Sequence, residues 1–516
     1  MSRFKHAARA FVSGYVVLGA NLVYTMASVP LALHYLSKEE FGLWAVITQI
    51  ASYFALLDFG MNGAVARILA DHKDDRNGGN YGAVLKTGAL VFASQGLLIA
   101  ILGSGASWIL PQIMGIPAHL QRLFSVLMAV QCLVLGFAFC TKILGSSLWC
   151  HQRSDVINVS NTLVFAVNFA VLWLGFHFGM GLYSMLLSNA AGVLCNTLTT
   201  WIASARLRLY PDRHCWGVVS SNVFWEVFHY ARNLFFITIG TQLLTASQVI
   251  IVTRTLGLDA AAVWSIATKA FTLAQQVVHR ICDYSIPALV EMFVRREITR
   301  LQKRFRQLVL LSASLSVLVG ATVAVCNGSF LAVWTRGRIS WGVHNDTLMA
   351  VFLVVYATVR CYTSLMDVTK NVRVLGYVSL LEGILFFVGA TFLGSKTGFS
   401  GIIALAIVVD VALSGAYGLI QTVRYFKISV RLVLFDWLRP ALQMAAAYVP
   451  ACILIWWLTS GLSSLPRLIV CGCSTATTGA LLLYLFGVTP EIRNELITRI
   501  RNALIQPSKS SIVSPT

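Results

Sequence analysis

Leu36-Ser37-Lys38-Glu39-Glu40-Phe41-Gly42-Leu43-Trp44 and, 220 residues further on, Leu256-Gly257-Leu258-Asp259-Ala260-Ala261-Ala262-Val263-Trp264 follow one short pattern. Each puts an acid in a short loop and a tryptophan one turn into the apolar run that follows. Residue identity between them is low, so position carries the comparison. The first lies between apolar stretches at about 10–36 and 41–68, the second between stretches at 230–253 and 259–286. A bilayer-spanning helix needs about 20 mostly apolar residues. A helix-loop-helix unit that returns at a fixed offset is the mark of an internal repeat.

The remaining sequence supplies further stretches of this kind, at 82–109, 119–148, 156–176, 180–204, 307–334, 346–369, 374–395, 399–423, 437–459 and 465–487, about fourteen in all. They are continuously apolar and do not alternate every second residue, which favours helices over a barrel. The expected fold is an all-α polytopic membrane protein. The repeat lays the loop between spans 1 and 2 on the loop between spans 7 and 8, six spans later. An even number of spans preserves orientation, so two parallel six-helix lobes should surround a central cavity, with two extra helices at the C-terminal end. The expected divisions are an N-lobe over 1–205, a cytoplasmic linker over 206–229, a C-lobe over 230–424, spans 13 and 14 over 425–487, and a cytoplasmic tail over 488–516. Arg3, Lys5 and Arg9 precede an apolar run too long for a signal peptide, so that run is read as a retained first span.

Composition agrees. Of 516 residues, 57% are hydrophobic and 11% charged, against roughly 25% charged in a soluble domain. The net charge of +19 is scattered in short runs between apolar stretches, so it does not indicate nucleic-acid binding. The basic residues instead divide by side: with loops and helix ends counted together, 29 fall on the face that carries both termini and seven on the other. Those seven are Lys38, Arg122, Arg254, Arg336, Arg338, Lys396 and Arg467. The positive-inside rule therefore assigns both termini to the cytoplasm. Eleven cysteines show no C-x-x-C spacing and read as small hydrophobes within helices. No metal site or cofactor is expected.

Two segments look amphipathic. Between 287 and 306, Val294, Ile298, Leu301 and Phe305 recur opposite Arg295, Arg296, Arg300, Lys303 and Arg304. In the tail, Ile492, Leu496, Ile500 and Leu504 recur after Pro490. Both are expected as interfacial helices on anionic membrane lipid.

Pro30, the run Leu36 to Trp44, Tyr53 and Leu57-Asp58-Phe59-Gly60-Met61 resemble the first two spans of bacterial polysaccharide flippases of the O-antigen type, within the multidrug/oligosaccharidyl-lipid/polysaccharide exporter superfamily. Fourteen spans look more like the lipid II flippase branch than the commoner twelve. The resemblance implies carriage of an undecaprenyl-pyrophosphate-linked oligosaccharide across the bacterial inner membrane by alternating access. A polysaccharide polymerase or other assembly protein would be a candidate partner.

Such a substrate needs buried cations and hydrogen-bonding groups. Ser265, Lys269, Thr272, Gln276, Arg280 and Asp283 are spaced by three or four residues, which puts them on one face of span 8. Arg360 of span 10 is a third cation within a span. Lys269, Arg280, Arg360, Gln276 and Thr272 are therefore the candidate ligands of the pyrophosphate and glycan, and Gln49 is the counterpart of Lys269 in the first repeat. The alternatives are that Arg280 pairs with Asp283 and that Arg360 is tied to an acid. Asp410, Asp283, Asp58 and Glu382 are candidates for a coupling proton or sodium ion; salt bridging to the buried cations is the alternative for Asp410 and Glu382, and helix-end hydrogen bonding for Asp58. A multidrug/cation antiporter of the same superfamily is the rival function, although its cavity would favour acids over cations. A membrane polymerase or glycosyltransferase would need a large outer loop or an acidic loop cluster, and the sequence has neither.

Overall fold

In the computed structural model the described residues are 3–72, 77–151, 153–212, 214–369 and 372–488. Among them there is no β-strand. The helices are α1 (Arg3–Tyr35), α2 (Lys38–Phe54), α3 (Met61–His72), α4 (Asn80–Ile113), α5 (Ala118–Cys140), α6 (Lys142–Cys150), α7 (Ser154–His177), α8 (Tyr183–Arg206) and α9 (Ser221–Thr245). They continue with α10 (Ser247–Leu256), α11 (Leu258–Ala267), α12 (Lys269–Val294), α13 (Ile298–Trp334), α14 (Val343–Thr369), α15 (Val372–Asp410), α16 (Ala416–Phe426), α17 (Arg439–Leu458) and α18 (Ser464–Leu482).

Eleven helical segments among the described residues are long and apolar enough to cross a membrane, which makes this a multi-pass membrane protein. The three remaining expected spans differ for identifiable reasons. Helix α8 is 24 residues long but carries Ser184, Ser188, Asn189, Asn196, Thr197, Thr199 and Thr200. The stretch 259–286 is divided into α11 and α12. The stretches 374–395 and 399–423 are two helices that part at a kink at Gly398, φ 63° and ψ −152°, and only their joined run counts as a single segment.

Several expected helices are interrupted. At Thr141 and Thr268 the threonine hydroxyl donates back to the preceding turn, to Ala138 O at 3.1 Å and to Trp264 O at 2.7 Å, a bond that bends helices. In the stretch 41–68 the break follows a 3₁₀ turn at Ala55–Asp58, where Phe59 and Gly60 take left-handed φ values of 51° and 75°. Interrupted helices persist in membranes only where protein or a water-filled cavity satisfies the freed backbone groups.

Two compact units emerge. The first holds the described residues up to Lys269 together with Trp334–Ser340 and Val372–Val409. In it the repeat becomes physical: α2 packs on α11, and Gly42 lies directly against the backbone of Leu258, so that any Cβ there would collide with the Leu258 carbonyl. Trp44 and Trp264 are both buried. Gly96 and Gly136 bring α4 and α5 together, while Gly240 meets Ser379 where α9 meets α15. The unit thus joins α9, α10, α11 and α15 to the helices before residue 206.

The second unit holds Ala270–Val333, Trp341–Asn371 and the described residues from Asp410 on. Its core includes Phe305 against Phe426 and Trp437, with ring centroids 5.8 and 6.2 Å apart. Tyr448 ties α17 to its neighbours, donating to Thr475 O at 2.9 Å and sharing a 2.7 Å hydrogen bond with Thr322. This corrects the expected surface helix over 287–306. Helix α12 runs to Val294 and α13 begins at Ile298 without a separate element between them. Leu301 and Phe305 are fully buried on protein, while Arg300, Lys303 and Arg304 are exposed. The amphipathic pattern was real, but its Leu301 and Phe305 pack inward, while Ile298 on the same side stays 43% exposed. Helix α13 has 37 residues, about 55 Å at 1.5 Å per residue, so it extends well beyond a hydrocarbon core of about 30 Å. The expected interfacial helix of the tail lies outside the described residues.

Candidate functional site

The break at Thr268 decides how the polar face of the eighth expected span is presented. Helix α11 ends where Thr268 N–H and Oγ1 both return to Trp264 O, and Lys269 is the first residue of α12. Ser265 stays on α11. Along α12, Lys269 is half-buried, Thr272, Gln276 and Arg280 are exposed, and Asp283 is half-buried. Lys269 and Arg280 are eleven positions apart, about 16 Å along the axis. One phosphate group cannot touch both at once. They can serve a moving anion only in succession.

Arg280 and Asp283 do not pair. Asp283 instead accepts from Arg360 of α14, with Arg360 Nη2 2.9 Å from Asp283 Oδ1. The two side chains are 42% and 37% exposed, so this is a partly hydrated bridge. One of the sequence alternatives is realised: Arg360 is tied to an acid. Among the described residues no ion pair engages Lys269 or Arg280. One turn before Asp283, His279 lies against Tyr356 with ring centroids 5.6 Å apart.

Gln49, the expected counterpart of Lys269, sits in a polar network within the first unit. Its Nε2 donates to Ser52 Oγ at 2.9 Å, and Gln242 Nε2 of α9 donates to the same oxygen at 2.8 Å. Tyr53 OH reaches Gln242 O at 3.5 Å. Ser52 and Gln242 were not singled out by sequence, because the pairing spans 190 positions and neither residue departs from ordinary helix composition.

The four acids occupy different settings. Asp58 Oδ1 receives Lys142 Nζ at 2.8 Å, and Asp58 Oδ2 accepts the Asn62 N–H at 3.3 Å. Lys142 also lies 3.6 Å from the centre of the Phe139 ring. Asp58 therefore makes the helix-end bond named as its alternative and, in addition, a salt bridge that was not expected of it. Glu382 and Asp410 are buried, 4% and 1% exposed. Asp410 ends α15 and is followed at once by a π-helical turn, Val411–Gly415, a feature frequent at functional sites. A further acid, Asp346, is buried in the first turn of α14, where its Oδ1 accepts from Asn327 Nδ2 at 2.6 Å.

Residues 8–293 match the family model described as polysaccharide biosynthesis protein. No curated protein matches the chain in sequence. Among solved structures, an inward-facing multidrug resistance MATE family transporter of the MOP superfamily is 13% identical, with 78% of this chain and 94% of that one covered and a TM-score of 0.66. The lipid II flippase MurJ in an inward closed conformation is 13% identical, with 98% and 100% covered and a TM-score of 0.64. A MOP superfamily transporter from Pyrococcus furiosus, whose binding pocket is described as reversed in polarity, is 12% identical, with 82% and 97% covered and a TM-score of 0.60. At these identities the likeness establishes the fold.

Proposed function

The chain belongs to the polysaccharide biosynthesis protein family, and from that premise we propose that it carries an undecaprenyl-pyrophosphate-linked oligosaccharide across the bacterial inner membrane by alternating access between the two lobes. The observation that carries the proposal is the face of α12. A cation within a membrane helix costs at least about 2.5 kcal/mol on insertion scales. Lys269 and Arg280 bear that cost with no carboxylate paired to them among the described residues. A cavity meant for cationic drugs would gain from acids at these positions, whereas an anionic pyrophosphate gains from the cations that are there.

Thr272 and Gln276 lie between the two cations and offer hydrogen bonds to phosphate or sugar oxygens. Because Lys269 and Arg280 are about 16 Å apart, they act as successive stations for the anion. Arg360, held by Asp283, contributes positional support and a weaker field. Asp410, buried beside its π turn, is the leading candidate for a coupling ion. Both termini are on the cytoplasmic side, as the division of basic residues implies.

Purified protein in vesicles tests the proposal. A labelled undecaprenyl-pyrophosphate glycan on the inner leaflet should become accessible to an external lectin without ATP. Equal exposure in protein-free vesicles contradicts it, and saturable binding of cationic dyes at the α12 face would assign the chain to drug export.

A further inference from the structure

Away from α12, a cavity of about 330 Å³ opens where the end of α1 meets the segment after α13. His34, Tyr35, Phe169, Trp334, Arg336 and Arg338 give it its character, and no carboxylate lines it. The whole lining lies within the first compact unit. The division of basic residues puts only seven on this face of the membrane, and two of the seven converge here.

The cavity is built on fixed parts. Trp334 Nε1 donates to Met26 O of α1 at 2.8 Å. Thr335, 2% exposed, takes the Ile339 N–H on its hydroxyl at 3.2 Å, and its carbonyl accepts the Arg338 N–H at 3.1 Å. Between these anchors Arg336 and Gly337 both have left-handed backbones, φ 52° and 75°. That conformation is uncommon for a residue with a side chain and persists where its surroundings enforce it. Tyr35 stacks on Phe176 with ring centroids 5.1 Å apart and a 5° tilt, and His34 meets the Tyr35 ring edge-on. Tyr35 is still 46% exposed, while Arg336 and Arg338 are exposed outright. Forked guanidinium groups suit a carboxylate, and an aromatic face beside them suits the apolar face of a sugar ring.

We propose that this cavity is a saccharide subsite on the outward face that takes a sugar bearing a carboxylate, such as a uronic acid unit of the transported glycan. It rests on the reading of the chain as a glycan carrier and adds a substrate class to it: an acidic repeat unit. A phosphate or pyrophosphate would offer the same charge without a ring for Tyr35, so the two are separable.

Binding to the full chain in phosphatidylcholine nanodiscs tests this, with a glucuronic-acid disaccharide, its neutral glucose counterpart and inorganic pyrophosphate as probes. The acidic disaccharide should bind saturably and at least tenfold more tightly than the other two. Arg336→Gln with Arg338→Gln should weaken it at least tenfold, Tyr35→Ala should also weaken it, and Arg336→Lys should keep part of the affinity. Arg300→Gln should change nothing. Equal affinity for the neutral sugar, equal affinity for pyrophosphate, or undiminished binding by the double arginine variant overturns the subsite. Lectin exposure measured with the same protein variants reconstituted into sealed vesicles separates the two readings. Flipping without arginine-dependent binding rejects the subsite alone, and arginine-dependent binding without flipping rejects the carrier.

Discussion

Lys269 heads α12 half-buried, directly after the break at Thr268. A hydrogen bond to a charged group is worth about 1.5 to 3 kcal/mol, so replacing Lys269 by glutamine should slow glycan flipping roughly 10- to 100-fold, with membrane insertion intact; Lys269→Arg should retain part of the rate. Lectin-accessible glycan per unit of protein is the readout. Arg300 is the control: it pairs with Glu297 at 3.0 Å on an exposed surface, where such pairs contribute little, and Arg300→Ala should flip normally. The Asp283 and Arg360 pair calls for a different experiment. Removing one partner of a fully buried pair costs about 3 to 5 kcal/mol; this pair is partly hydrated, so Arg360→Gln or Asp283→Asn alone should lose less, roughly 1 to 2 kcal/mol. The double substitution should be milder than the sum, which thermal unfolding in detergent can check. The three-and-four spacing in the sequence was enough to find this face of α12. The partner of Asp283 was not legible, because Arg280 is near in sequence and Arg360 is near only after α12 and α14 pack.

Among helices, the close approach of α2 and α11 carries the most stringent requirement. Gly42 touches the Leu258 backbone, and a methyl group there must push two helices apart. Gly42→Ala should therefore lower the detergent melting temperature and the yield of folded protein, whereas Gly63→Ala, with open space around it, should be tolerated. The recurrence of 36–44 at 256–264 was readable from the sequence, and so was its consequence that two helix-loop-helix units correspond. That the two would pack on each other was not, since a repeat fixes equivalence and leaves contact unspecified. The interruptions at Thr141 and Thr268 were equally hidden: threonines that bond back a turn also stand inside unbroken helices, as Thr253 and Thr322 do, so the residue type does not mark a break. Residues 287–306 show the converse. Their amphipathic period was correct, but a period says only that one face is apolar; here Phe426 and Trp437 cover Phe305, while Ile298 stays exposed.

For the chain as a whole, hydrophobic run length identified an all-helical multi-pass fold, because a continuously apolar run can satisfy its polar backbone groups in a bilayer as a helix, whereas a barrel strand would alternate. The number of spans was less legible where polar residues thin the signal, as in α8, whereas the expected spans 374–395 and 399–423 do part from each other at Gly398. Orientation follows from the division of basic residues and has its own test. A cysteine introduced at Arg300, in a cysteine-depleted background, should resist an impermeant reagent in intact cells, whereas one at Arg336 should react. The most direct test of anion carriage combines the two α12 cations that no acid engages among the described residues. With Lys269→Gln and Arg280→Gln together, vesicles holding normal amounts of folded protein should expose lipid-linked glycan to external lectin no faster than protein-free vesicles do. Wild-type rates in that double variant would contradict the assignment of α12 as the path of the pyrophosphate.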